Sequence, residues 1–389
     1  MRWLRLVIHN NITLILTLSL LIWGSPFVSK VFRIPIPPVE IILGSLFAYF
    51  GFIGHNEYFY LIAEVGFLYL MFLAGMEVDL KQITKSPKAL IQKAMLFLLL
   101  MVLFSITSGL LFDLHTIVII SMPLISIGLL ASLSKVYGKE EIWIKLALIV
   151  GVLGEIASIA ALTIFDAAST TGFGVELLGK IGYLILFIFV VYLLYRALHL
   201  LFWWFPELKN TLMPKLDTSD QDIRLAMSLF FILIAVMLSL GLELALGGFI
   251  AGVAISAFFH HEKALEEKMS SLGFGFLVPL FFIHVGASFD LRALSLDGVV
   301  SGALLITLLM ILSRVFAAIV LKRLAGTKGA LLVALSLSMP LTLLVAVATI
   351  GHDTKLLDLL NYYQLILASI FEILISMTLI KILQAKRKI

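Results

Sequence analysis

The chain has 389 residues, of which 61% are hydrophobic and only 13% charged, with a net charge of +4 and a mean hydropathy of +1.13. A soluble globule carries about 25% charged residues, so this composition excludes one. Cysteine is absent, which excludes a disulfide framework and thiolate chemistry. No basic run with interleaved aromatics suggests nucleic acid.

Apolar stretches recur along the whole length, and they are continuous rather than alternating, so they read as membrane-spanning helices. In chain order the predicted spans are 10–28, 36–53, 58–77, 90–111, 115–134, 143–165, 178–202, 223–241, 243–259, 272–289, 299–321, 329–350 and 361–380. The first lacks a small-residue cleavage site and reads as a retained span. The seventh is long and runs toward Trp203 and Trp204, residues suited to a membrane interface. The ninth is short. The fold class expected is therefore an all-α membrane protein of about thirteen helices, forming one transporter domain over 1–389 with no soluble regulatory domain.

Lysine and arginine orient it. The loops after odd-numbered spans, the span ends beside them and the C-terminal tail hold 21 of the 28 basic residues, among them Lys81, Lys85, Lys209, Lys263 and Arg387. The opposite side holds five (Arg2, Arg5, Lys180, Arg292, Lys355), and Arg196 and Arg314 lie inside spans. This bias predicts an external N-terminus and a cytoplasmic C-terminus.

An internal repeat is legible. Ser121-Met122-Pro123-Leu124 recurs as Ser338-Met339-Pro340-Leu341 at an offset of 217, which also carries Glu155 onto Glu372. Upstream, Gly75, Asp79 and Leu80 fall on Gly286, Asp290 and Leu291 at 211. Two units, approximately 64–160 and 275–377, therefore repeat. Spans three to six match spans ten to thirteen, and a shift of seven makes the repeats inverted. Such repeats place a substrate site near the midplane, built from discontinuous helices. Pro123 and Pro340 are the predicted breaks, because each removes a backbone donor and disfavours helix in the residue before it.

Charges inside spans are costly, at about 2.5–3.5 kcal/mol or more each at a helix centre, and so mark function. Glu155 lies mid-span six, Arg314 mid-span eleven and Glu372 mid-span thirteen. Two acids and one base can neutralise one another, or bind a cation and a proton in turn. Glu64 and Glu40, nearer span ends, read as solvated or packing groups, and His284 as a satisfied buried histidine. Ser121, Ser338 and Thr342 beside the breaks are candidate oxygen ligands for a hard cation that dehydrates there. The cytoplasmic stretch His260 to Lys268 reads as a mobile, solvated loop rather than a pH sensor or metal clamp.

With these residues in view, a family resemblance emerges. Leu153-Gly154-Glu155-Ile156-Ala157, the span-three string LYLMFLAGMEVDL, GGFIAGVAIS at Gly247–Ser256 and FLVPLFFIHVGASFDL at Phe276–Leu291 resemble the second monovalent cation–proton antiporter family. These are the Kef and Nap type of bacterial sodium or potassium–proton exchangers, and the likeness covers about residues 35–380. It implies a core domain beside a dimerisation domain, crossed broken helices five and twelve, alternating access and a homodimer. It also implies that Glu155 binds the transported cation or proton, with Arg314 as its partner, and that no cofactor is needed.

Two departures qualify the likeness. Electrogenic relatives have two adjacent span-six acids and a span-eleven lysine; this chain has Gly154-Glu155 and Arg314, whose charge is permanent. One-for-one electroneutral exchange is therefore expected. The chain also lacks a G-x-G-x-x-G strand–helix unit, so nucleotide gating would need a separate subunit. The alternative is the pore subunit of a Kef-like potassium efflux system gated by such a subunit, although no continuous polar lining is visible. An enzyme is not expected: no span carries a His-Glu-x-x-His set, and no serine sits in a G-x-S-x-G elbow.

Overall fold

Backbone groups in hydrocarbon must find partners within their own segment, and continuous apolar runs achieve this as helices. The computed structural model describes residues 2–32, 34–54, 56–78, 86–138, 140–171, 175–205, 207, 220–259 and 263–385. Its helices are α1 (Arg2–Phe32), α2 (Ile36–Tyr49), α3 (Glu57–Met76), α4 (Lys88–Leu111), α5 (Thr116–Ser121), α6 (Gly128–Tyr137), α7 (Ile142–Thr171) and α8 (Val175–Trp204). They continue as α9 (Gln221–Leu240), α10 (Leu244–Phe259), α11 (Lys263–Leu272), α12 (Val278–Ser288), α13 (Val299–Ala317), α14 (Lys322–Ser336), α15 (Leu341–Asp353) and α16 (Leu359–Ala385).

Each of the thirteen predicted spans has its counterpart, span five as α5 with α6 and span twelve as α14 with α15. Among the described residues, nine helical stretches are long and apolar enough to cross a membrane, and α2, α10 and α15 are shorter apolar helices. Residues 299–337 run as one such stretch, bent at Gly326, whose φ of 72° no ordinary helical residue adopts. Span seven does run into Trp203 and Trp204, as α8. Span ten is α12 preceded by a π turn at Gly273–Leu277. Pro279 lies just beyond that turn and cannot donate to it.

The chain divides into two compact units, one of residues 1–63, 81–158 and 279–389, the other of 64–80 and 159–278. In the first, α13 packs on α4, α14 and α16, and a cluster of Leu14, Leu21, Ile53, Phe59, Leu280 and Ile283 fills the space around α1, α2 and α12. The broken spans also lie in this unit. Half-helix α5 lies against α15 and α6 against α14, so the first half of each meets the second half of the other. Antiparallel broken segments that cross at their breaks produce this pairing.

Small residues set the closest helix contacts, as expected where apolar lipid cannot drive helices together. In the first unit a Cβ on Gly44 would strike the Ile283 carbonyl, and one on Gly286 the Ile41 carbonyl. Ser45 Oγ donates to Gly286 O across the same contact at 2.9 Å. Within the second unit α10 and α3 repeat the arrangement. There Gly252 abuts the Phe72 carbonyl and Gly75 the Phe249 carbonyl, and Ser256 Oγ donates to Val78 O at 2.9 Å. Phe72 and Gly75 correspond to Ile283 and Gly286 at the offset of 211, while Ile41 and Gly44 correspond to Phe249 and Gly252 at 208. The likeness thus reaches α2 and α10, outside the repeat ranges read from sequence. Asp79 and Leu80, used to align those repeats, lie outside the described residues.

The stretch from His260 is not one loop. Lys263–Leu272 forms α11, where Lys268 Nζ pairs with Asp222 at 2.9 Å, whereas His260, His261 and Glu262 lie outside the described residues. A ten-residue segment with polar and apolar faces can satisfy its backbone as a helix, which single-residue loop criteria overlook.

Gly286→Val should force α2 and α12 apart and cost about 1–3 kcal/mol from overpacking. Gly182→Ala, where a Cβ meets nothing within 4 Å, should be neutral or slightly stabilising. Thermal unfolding in detergent compares the two, and equal midpoints would show that the glycine contact is not tight.

Candidate functional site

Breaking a helix at mid-membrane exposes amides and carbonyls that have no water to turn to. Helix α5 ends at Ser121, residues 122–127 are non-helical, and α6 begins at Gly128. Helix α14 ends at Ser336 and α15 starts at Leu341, with Pro340 at its N-cap. Three side chains from intact helices meet these orphan groups.

Two come from one face of α7. Glu155, fully buried, accepts from the Ile127 amide through Oε2 at 2.5 Å and lies 3.5 Å from Ser126 Oγ through Oε1. One turn on, Ser158 Oγ accepts from the Ile125 amide at 2.9 Å. The same face carries Gly151 and Gly154, where a Cβ would fall 2.7 Å from Ile127 and 2.6 Å from Ile125 side-chain carbons. Without side chains at these positions, the unwound strand lies directly on α7. The carboxylate therefore sits at the N-terminus of a half-helix, where free amides and the helix dipole favour negative charge. Ser126 Oγ is also 3.3 Å from Thr342 Oγ1 on the first turn of α15. Glu155, Ser126 and Thr342 thus converge where the two broken spans meet.

The third is Arg314 on α13, also fully buried. Its Nη2 donates to Leu124 O at 2.6 Å, its Nε to Leu337 O at 3.0 Å and its Nη1 to Met310 O at 2.8 Å. One guanidinium therefore holds a carbonyl from each break. Leu337 caps the C-terminal end of α14, where positive charge is favoured.

The carboxylate paired with Arg314 is Glu372, with Nη1 to Oε1 at 3.1 Å, and this corrects the expectation that Glu155 is its partner. The reason is geometric: α13 packs along α16, which carries Glu372, whereas Glu155 is already engaged by the break amides. The Arg314–Glu372 contact is one of charge more than direction. Neither Glu372 oxygen accepts a well-aligned hydrogen bond among the described residues, although Nη1 keeps a second hydrogen beside the one it gives to Met310 O.

Other expected residues fall differently. The hydroxyls of Ser121 and Ser338 donate back to Val118 O at 2.8 Å and Ala334 O at 3.0 Å, closing their own helix ends rather than facing Glu155. Thr342 is brought to the site; Ser126 and Ser158 went unrecognised. The repeat could not have found Ser126, since the offset of 217 places Leu343 opposite it. Its one signal was a serine three residues past a mid-span proline. Of the two readings given for Glu40, solvated or packing, the structure has the second: it is buried and accepts from Ser25 Oγ at 3.1 Å. His284 lies edge-on to Phe59 and Tyr60, at ring distances of 5.2 and 5.5 Å. Glu64 lies half-buried on α3, in the other unit.

A fully buried carboxylate met by a break amide and a hydroxyl, where two broken helices meet, fits an ion-handling membrane carrier. The sequence pattern of the transmembrane sodium/hydrogen exchanger family matches residues 15–385, and the chain belongs to that family. It is 25% identical over 368 residues to a Na(+)/H(+) antiporter of Enterococcus hirae, covering 91% of this chain and 93% of that protein. It is 23% identical over 381 residues to YjbQ of Bacillus subtilis, covering 90% of this chain but 59% of YjbQ. The structure of the sodium proton antiporter MjNhaP1 from Methanocaldococcus jannaschii superposes with a TM-score of 0.64 over 97% of this chain and 96% of that one. At 17% identity this shows a shared fold.

Arg314→Ala removes the partner of two break carbonyls and leaves Glu372 buried without its cation, a change that typically costs about 3–5 kcal/mol. The expected outcome is a large fall in unfolding temperature, while Ser121→Ala, which removes only a bond within its own helix, stays close to the parent.

Proposed function

We propose that the protein exchanges a monovalent cation, with sodium as first choice, for a proton across a bacterial inner membrane by alternating access. The observation that carries this reading is Glu155: fully buried, at the end of a half-helix, and held by an amide and a hydroxyl instead of a basic side chain. A carboxylate without a permanent counter-charge is unstable in an apolar interior unless something neutralises it. A proton or a cation can do so, but not both at once, and this mutual exclusion is the basis of exchange.

With the cation bound, Glu155, Ser126 and Thr342 supply hard oxygen ligands of the kind a dehydrating alkali cation requires. With the proton bound, the carboxyl group is neutral and the site can turn over without cargo. Alternating access then proceeds by movement of the core that carries the broken spans, around a site fixed near the midplane. Family membership supports an exchanger over the pore subunit. Sodium is favoured by the name of the Enterococcus relative, while a Bacillus cereus relative, 23% identical over 261 residues, is named a Na(+)/H(+)-K(+) antiporter. Assignment to the Kef and Nap type, inverted repeats, a homodimer and an external N-terminus complete the reading, supported by the sequence resemblance, the crossed breaks and the distribution of lysine and arginine.

Glu155→Gln keeps the size and a hydrogen-bonding group but removes the charge that proton and cation compete for. It should abolish sodium-driven proton movement in reconstituted vesicles while the protein still inserts and assembles. Exchange near the parent rate would remove Glu155 from the mechanism.

One carboxylate trading one proton for one monovalent cation moves no net charge. A potassium–valinomycin potential, worth roughly 2.3 kcal/mol per charge per 100 mV, should then leave the exchange rate unchanged at fixed ion gradients. Acceleration with either polarity would show that a second charge is carried.

A further inference from the structure

The first unit buries three formal charges around the breaks: Glu155, Glu372 and Arg314, each with no exposed surface. Geometry divides them unequally. Arg314 lies 3.1 Å from Glu372, while Glu155 is met by the Ile127 amide and Ser126. Among the described residues Glu372 in turn has no competing source of compensation. Both its oxygens lack an aligned donor among the described residues, and Ser376 Oγ, one turn along the same face of α16, is likewise without a partner. Elsewhere on α16, Ser369 and Thr378 donate to their own helix at 2.6 and 2.7 Å. Among the described residues the guanidinium is thus the counter-charge that Glu372 meets, and its hydrogen bonds are directed at carbonyls.

We propose that Glu372 is a positioning and charge-setting residue: by consuming the charge of Arg314, it leaves the empty site one net negative charge, which is what makes Glu155 able to take a single cation. Arg314 must be present because its donors hold the Leu124 and Leu337 carbonyls at the two breaks. Its positive charge would, however, repel cargo. Glu372 cancels that charge without drawing the guanidinium off the carbonyls, whose bonds at 2.6, 2.8 and 3.0 Å stand beside the ion pair. The buried set then sums to minus one when empty and to zero with one monovalent cation or one proton bound. Glu372 is accordingly no ligand of the cargo, although it is the repeat counterpart of Glu155.

This inference rests on the exchange reading above, and its test separates the two. Sodium-dependent exchange is measured in vesicles for the parent, Glu372→Gln, Glu372→Asp and the double variant Arg314→Gln/Glu372→Gln. Neutralising Glu372 makes the empty site neutral and the loaded site positive. At buried distances such a charge outweighs most packing effects, so Glu372→Gln should raise the sodium KM about tenfold or more with a smaller change in maximal rate. Glu372→Asp keeps the charge and should stay within about threefold of the parent KM, despite its shorter reach. The double variant restores minus one and should bring the KM back toward the parent value.

A purely structural role would rank the variants by size and stability, with Asp no better than Gln and the double variant worst. That ranking, or an unchanged KM in Glu372→Gln, overturns the proposal. If Glu372→Gln does not assemble, the comparison of Glu372→Asp with the double variant decides, since charge predicts near-parent KM in both. Loss of all sodium–proton exchange in the parent protein would instead overturn the exchange reading itself.

Discussion

Two helices broken in an apolar interior leave amides and carbonyls that lipid cannot solvate, and the rest of the site follows from how those groups are satisfied. Glu155 and Ser158 take the amides of Ile127 and Ile125, and Arg314 takes the carbonyls of Leu124 and Leu337. Acceptors meet donors at the start of one half-helix, and a cation meets acceptors at the end of another. Under the proposed exchange, the groups that satisfy the breaks are also the groups that handle ions.

The price of that economy is buried charge, and the three charges are compensated in different ways. Arg314 and Glu372 are within ion-pair distance, and removing either partner of such a pair is far more disruptive than removing both. Among the described residues Glu155 has hydrogen bonds but no ionic partner, which under the proposed exchange leaves it open to a small cation. Of the two carboxylates related by the repeat, one is thus left free to react and the other is committed to the arginine.

Helix packing serves the same end. Gly151 and Gly154 let the unwound strand lie on α7 closely enough for Glu155 to reach an amide. Gly44 and Gly286 bring α2 and α12 into backbone contact within one unit, as Gly75 and Gly252 do for α3 and α10 within the other. Close small-residue contacts of this kind are how helices pack tightly where lipid supplies no hydrophobic drive.

Much was legible in the sequence because hydrophobic length, proline and buried charge each have a large local energy. Continuous apolar runs announced all thirteen spans, the repeated Ser-Met-Pro-Leu announced both breaks, and Glu155, Arg314 and Glu372 stood out as charges too costly to be accidental. The pairing of these groups was not legible. Which carboxylate Arg314 meets depends on α13 lying along α16, a contact between distant segments that no local pattern encodes. Ser126 and Ser158 become partners of the site only when the strand past Pro123 folds onto α7, while Ser121 and Ser338, the conspicuous serines, turn back to their own helices. Composition and local sterics decide where helices form and break; the direction of each hydrogen bond at a break is decided by which neighbouring helix the tertiary fold brings within about 3 Å of it.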